Sequence, residues 1–135
     1  MTITGGCYCK QVRYEADGDS IFKIQCHCRE CQYISGGSAN VSIGMPRAGF
    51  RYTTGQPKQF QREDLENGVV REFCGNCGTS LTSNPQGMPD LVIIKVGTMD
   101  HPEEFGAPEM AIYTCEKQSF HHIPEGITAF EKFPG

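Results

Sequence analysis

The sequence predicts a mainly β fold with little helix, cross-linked by metal. Three observations carry that expectation. Sixteen Gly and eight Pro punctuate the 135 residues, and the stretches between them alternate or run apolar over strand-like lengths. No segment holds a helical period over three turns. Hydrophobic residues make up only 38% and Trp is absent, which suits a modest core reinforced by cross-links, and eight cysteines can supply them.

Taken in order, Val12, Tyr14 and Ala16 alternate with Arg13 and Glu15, as a strand with one buried face does, and Asp17-Gly18-Asp19 ends it in a turn. Residues 21–25 form the next strand and deliver the chain to Cys26. Residues 29–34 make at most a short helical turn, which Ser35-Gly36-Gly37 stops. Further strands are expected at 39–43, 50–53, 59–62, 69–73, 80–82, 91–96 and 110–113. Residues 65–68 read as a turn and the tail, 123–135, as an irregular coil with a few apolar anchors. With no composition break or internal repeat, one zinc-binding domain over 1–135 is the expectation.

Several function classes are disfavoured. Met1-Thr2-Ile3-Thr4 offers neither the charged nor the apolar region of a signal peptide, so a cytoplasmic protein is expected. In that reducing compartment closely spaced cysteines ligate metal more often than they form disulfides. Leu91-Val92-Ile93-Ile94, the longest apolar run, is too short to enter a membrane, and a formal net charge of -4 with scattered basic residues argues against nucleic acid as a partner.

Seven cysteines fall into three groups, Cys7-x-Cys9, Cys26-x-Cys28-x-x-Cys31 and Cys74-x-x-Cys77. Cys74-Gly75-Asn76-Cys77-Gly78 has the form of a zinc knuckle, in which glycine lets backbone N–H groups turn toward the sulfurs. It needs two more thiolates, and Cys7 with Cys9 is the natural supplier. Zinc held by these four would close a long loop and staple a small core. The triplet Cys26, Cys28 and Cys31 is then one ligand short of a tetrahedron. It is an open site, a site closed by Cys115, His27, His101, His121 or His122, or metal-free at rest. An extended segment points His27 away from its flanking cysteines. An open thiolate-rich zinc site suits a small thiol, whose pKa the metal lowers.

The same residues resemble a known family. Gly5-Gly6-Cys7-Tyr8-Cys9 with Val12-Arg13-Tyr14, Cys26-His27-Cys28-Arg29-Glu30-Cys31 with Ser35-Gly36, and Phe73-Cys74-Gly75-Asn76-Cys77-Gly78-Thr79-Ser80-Leu81 look like the glutathione-dependent formaldehyde-activating enzyme family, which includes a centromere protein V-like branch. Val96-Gly97-Thr98-Met99-Asp100 and Phe130-Glu131-Lys132-Phe133-Pro134 fit as well. The resemblance implies a β-tent fold of small antiparallel sheets and two zinc ions per chain, the second of which can be labile. One is structural on Cys7, Cys9, Cys74 and Cys77; the other is catalytic on Cys26, Cys28 and Cys31. It implies a carbon-sulfur lyase-type enzyme whose named activity joins glutathione to formaldehyde as S-hydroxymethylglutathione. Because three thiolates overcompensate the zinc charge, thiol capture and positioning account for such catalysis better than Lewis-acid activation. The sequence departs from the family at Ala111, where many relatives have His, and at Phe120, where they often have Trp.

Other residues have two readings each. Ser35, Gly36, Gly37 and Ser38 offer backbone N–H groups to a substrate carboxylate, or form a plain turn. Cys115 is a fourth ligand or redox thiol, or more simply a small buried hydrophobe in a strand. His121-His122 is a base or ligand, or a solvated loop. Arg29 and Glu30 bind the charged ends of a thiol, or are exposed. The acidic stretch 63–66 reads as a solvated turn. The leading expectation is a zinc-dependent enzyme acting on a glutathione adduct or a related thiol and aldehyde; the alternatives are a non-catalytic zinc-stabilised binding module and a thiol or metal sensor.

Overall fold

The computed structural model describes residues 1–134. Its strands are β1 (Thr2–Gly6), β2 (Arg13–Asp17), β3 (Phe22–Cys26), β4 (Asn40–Pro46), β5 (Phe50–Thr54), β6 (Lys58–Phe60), β7 (Val70–Phe73), β8 (Ser80–Asn84), β9 (Leu91–Lys95), β10 (Met110–Ile112) and β11 (Thr128–Ala129). One six-residue helix, α1 (Arg29–Ile34), follows β3, and short 3-10 turns fill some of the connections. The mainly β class with little helix is what the sequence leads one to expect.

The alternation in β2 and its neighbour builds a three-stranded sheet ordered β1-β2-β5. Ile3 lies opposite Ala16 in the β1–β2 pair, and Ile3, Tyr14 and Ala16 are all at most 1% exposed. The strand β1 is absent from the sequence reading because Gly5 and Gly6 lower β propensity. Its pairing overrides that preference, and Gly5 is needed there for space. A Cβ on Gly5 would stand 2.3 Å from the Thr98 carbonyl oxygen and 2.4 Å from the Tyr14 hydroxyl. Gly5→Ala is therefore expected to cost about 1–3 kcal/mol or more through overpacking, measured as a lower urea midpoint.

The remaining strands form one eight-stranded sheet, β11-β10-β3-β4-β9-β8-β7-β6. It is larger than the small sheets the family resemblance implies, and it is antiparallel except where β10 runs parallel to both β3 and β11. The observed β11 lies in the tail expected to be coil, while Gly135 falls outside the described residues. The expected strand 59–62 is found slightly earlier, at Lys58–Phe60.

Period-two alternation divides the large sheet into two faces. Ile43, Met45, Val92 and Ile94, each 0% exposed, share the main core with Ile3, Tyr14 and Ala16. On the other face, Ile24 pairs with Ser42 and Ser42 with Lys95; one step along, Gly44 pairs with Ile93, Ile93 with Ser83, and Ser83 with Arg71. That second face carries the candidate site.

A bidentate ion pair ties the segment after β9 to the small sheet. Arg13 donates to both Asp100 carboxylate oxygens, at 2.9 and 2.5 Å, and the Thr4 hydroxyl donates to the second at 2.8 Å. These bonds, Arg13 first, hold the Asp100 carboxyl down at about 2. The folded pKa lies below the unfolded one, so the stabilisation is complete above about pH 4 and is lost as pH falls through about 2. With a third of each side chain exposed, screening leaves about 1 kcal/mol. The stability gap between wild type and Asp100→Asn is expected to close over that pH interval in paired denaturant titrations.

Candidate metal and thiol site

Two local turns gather the first four sulfurs. After β1 the chain folds back on itself, with the Cys7 N–H donating to the Val12 carbonyl at 3.0 Å and the Val12 N–H donating to Cys7 Sγ at 3.2 Å. Between β7 and β8, the N–H groups of Asn76 and Cys77 both donate to Cys74 Sγ at 3.4 Å, and Gly78 closes the knuckle at φ +80°. Cys9 Sγ stands 3.5 Å from Cys7 Sγ and 3.7 Å from Cys74 Sγ, and all four sulfurs, with Cys77, lie within 4.8 Å of one another. A zinc–sulfur bond of about 2.3 Å gives a tetrahedral edge of about 3.8 Å, so this donor set fits such an ion. Hydrogen bonds from Thr79 hold the Cys77 thiol down at about 5, the form a metal ligand requires. Cys7 and Cys74 belong to the main core.

The triplet sits elsewhere. Cys26 ends β3, Cys28 caps α1, and Cys31 lies in the first turn of that helix, its N–H donating to Cys28 Sγ at 3.3 Å. The three sulfurs also lie within 4.8 Å of one another. Hydrogen bonds from Cys26 and Cys28 hold the Cys31 thiol well below its ordinary value, while those with Cys28 and Cys31, together with burial, drive Cys26 well above it. A cation bound by three such sulfurs displaces their protons. Its surroundings are the smaller apolar cluster around Ile24 and Ile112.

No fourth protein ligand joins the triplet among the described residues. Cys115, expected as a buried hydrophobe, is exposed on the 3-10 turn Thr114–Glu116. His27 does turn away from its flanking cysteines. It is 0% exposed, and its Nε2 accepts from the Gln25 amide at 2.9 Å, which makes Nδ1 the donor to His121 Nδ1 at 2.9 Å. His121 Nδ1 also accepts from the Gln118 N–H, and its Nε2 donates to the Gly37 carbonyl at 2.7 Å. The expectation of a solvated His121 is corrected: the side chain is buried because this chain of bonds satisfies both nitrogens. The network props up the segment 26–37 from behind. Ala111 pairs with Gln25 and so points to this rear face, whereas Ile112 pairs with Cys26 and points forward. The departure from the family at Ala111 therefore lies behind the triplet; Phe120, the other departure, is exposed and packs edge-on to His121.

The triplet opens into a cleft of about 460 Å³. Its apolar wall includes Ile24, Ile93, Ile112, Tyr113 and Phe133, and its charged rim includes Arg29, Glu30, Arg62, Arg71 and Lys95. Glu30 lies 3.6 Å from Arg62 and 3.5 Å from Arg71, spanning from α1 to the far strands. Arg29 and Glu30 thus border the cleft, Arg29 exposed and Glu30 half-buried. Ser35, Gly36, Gly37 and Ser38 do not line it, and the N–H groups of Ser35 and Gly37 bond to the carbonyls of Cys31 and Gln32. Arg62, Arg71 and Lys95 escape sequence reasoning because no motif marks them. Lys95 alone leaves a trace, a charge at the end of the apolar run 91–96.

The model of the family described as "Glutathione-dependent formaldehyde-activating enzyme" matches residues 2–116, and with them all seven clustered cysteines. The chain belongs to that family. The closing stretch 130–134 lies outside the matched residues. A crystal structure of a Rhodobacter sphaeroides protein is similar, with a TM-score of 0.62 and 17% sequence identity, covering 78% of this chain and 96% of that one. At that identity the likeness speaks for the fold. No curated protein matches the chain. Among the described residues of this family member, no helix is long and apolar enough to cross a membrane.

Proposed function

We propose that the protein is a zinc-dependent enzyme of carbon-sulfur chemistry that joins a small thiol, glutathione in the named family reaction, to formaldehyde or a related aldehyde. The observation that carries this reading is the contrast between the two cysteine clusters. The quartet can satisfy a tetrahedral ion by itself, whereas the triplet offers three sulfurs and faces a cleft large enough for a small molecule. In this reading Cys7, Cys9, Cys74 and Cys77 hold a structural zinc, and Cys26, Cys28 and Cys31 hold a second, exchangeable one. That second ion, when bound, lowers the pKa of an incoming thiol so that its sulfur reaches the aldehyde as a thiolate.

The chain's own residues do the rest. Ile24, Ile112 and Tyr113 take up the apolar part of the thiol and exclude water from its sulfur. Arg71, which has Glu30 at 3.5 Å, is placed to receive a carboxylate that displaces it, while Arg62 beside it is held by Asp64 at 2.6 Å. Holding sulfur and aldehyde together in this cleft converts a bimolecular encounter into an oriented one. The His27–His121 network keeps the triplet's backbone fixed from the opposite face. NMR exchange spectroscopy of glutathione with formaldehyde tests the reading. The zinc-loaded protein should accelerate exchange over the spontaneous rate, and Cys28→Ser should return it to that rate; absence of acceleration by wild type rules the reaction out.

A further inference from the structure

The thiol-adduct reading leaves one charge without an explanation. Three thiolates around a divalent ion leave the group net negative, so it captures a thiol well but draws little electron density from a carbonyl. When sulfur adds to an aldehyde, negative charge develops on the oxygen, and a donor must meet it there. Lys95 is the buried cation on this face. It lies on β9, is 7% exposed and lines the cleft. Its register partner is Ser42, whose partner on the other side, Ile24, lies two residues before Cys26. No carboxylate among the described residues pairs with it; the charges acting on it are the three thiols of the triplet and Arg71. The negative groups near this ammonium are the triplet's own thiols, so its charge is directed at the metal-binding end of the cleft.

A second, independent feature lies one diagonal step away. Asn40 sits opposite Cys26 in the β3–β4 pair, so their side chains share a face, and two residues further along β4 comes Ser42, the partner of Lys95. Asn40 is 6% exposed, and its Nδ2 is the buried side-chain polar atom left without a hydrogen-bond partner among the described residues. A buried amide donor left unpaired is itself unfavourable. Lys95, which lines the cleft, and Asn40, which lies beyond its lining, thus place two donors on one face of the sheet beside Cys26.

We propose that Lys95 and Asn40 form an anion hole that receives the aldehyde oxygen as the thiol adds. In that step a sulfur lone pair forms the C–S bond and the carbonyl π pair moves onto oxygen. The oxygen then takes up the proton that the thiol gave up, so RSH and R′CHO become RS–CHR′–OH with no oxidant or reductant. Lys95 supplies the charge and Asn40 the second hydrogen bond. The proposal rests on the thiol-adduct reading, and its test separates the two.

The binding arm uses protein loaded with cobalt at both sites, titrated through its thiolate charge-transfer band with thioglycolate, whose carboxylate lies one carbon from sulfur, and with ethanethiol, which carries no charge. Lys95→Met, which keeps the stem and removes the charge, is expected to weaken thioglycolate about ten- to a hundredfold while ethanethiol stays within threefold. In the zinc-loaded protein the same variant is expected to slow glutathione–formaldehyde exchange about a hundred- to a thousandfold. Equal effects on the two thiols, no effect on thioglycolate, or loss of the second metal ion from Lys95→Met would each overturn the anion hole, the last by showing that Lys95 only balances the thiolates. If Lys95→Met does not fold, Asn40→Leu decides: a selective three- to tenfold loss for thioglycolate supports the proposal and an equal loss for both thiols overturns it. If wild type fails to accelerate exchange, the adduct reaction falls, while the comparison of the two thiols still decides whether the anion hole exists.

Discussion

Cys74→Ser is expected to leave the protein unfolded at 25 °C. Cys74 is 1% exposed in the main core, and its sulfur accepts two backbone N–H groups while standing 3.7 Å from Cys9, 65 positions away in the chain. A structural zinc bound by four thiolates contributes roughly 10–16 kcal/mol in small domains, as much as the whole stability of a typical fold, about 5–15 kcal/mol. Serine does not replace a thiolate ligand, so most of that contribution goes with a single sulfur. Far-UV circular dichroism and metal content would be measured together: the variant should lack a cooperative melt and retain less than one equivalent of metal. A variant that melts within a few degrees of wild type would show that the quartet does not hold the fold together.

For Cys31→Ser the expected result is the opposite pairing of effects, with little change in fold and loss of function. The triplet belongs to the smaller apolar cluster, close to the cleft, and its backbone is held by Gln25, His27, Gln32, His121 and the Cys28 cap, none of which Cys31→Ser removes. Removing this thiol should cost about 1–2 kcal/mol of stability. Metal content should fall by one equivalent per chain, and acceleration of glutathione–formaldehyde exchange should disappear. Retention of both metal equivalents, or unfolding as complete as that of Cys74→Ser, would contradict the division of labour between the two clusters.

The wild-type stoichiometry provides the matching control. One equivalent should withstand a chelator such as EDTA and a second should be removed by it, because the quartet offers four thiolates while the triplet offers three and is reached through the cleft.

Much of the site is legible before any folding is considered. Metal-ligand spacing is a local property: Cys74-x-x-Cys77 and Cys26-x-Cys28-x-x-Cys31 close over a few residues, where backbone geometry alone limits which sulfurs can meet. The orientation of His27 follows in the same way from its place between Cys26 and Cys28. Strands with clean alternation, such as Arg13–Asp17, are legible for the same reason. β1 is not, since Gly5 suits a strand only where Tyr14 and Thr98 press against it, and Gly6 only where Val12 and Arg13 do. The burial of His121 depends on Gly37 and His27, far away in the chain, and no local pattern anticipates it.

By itself, then, the sequence determined the fold class, the seven ligating candidates and their division into four and three, all of which rest on short-range spacing and period. Tertiary structure alone decided that the triplet faces a cleft, that Ser35 to Ser38 lie outside it, and that Arg62, Arg71 and Lys95 line it. The reason is the order of the strands. Alternation specifies that Ile93 and Lys95 share one face and Val92 and Ile94 the other, but only the pairing of β9 between β4 and β8 settles which face meets the small sheet and which meets Cys26.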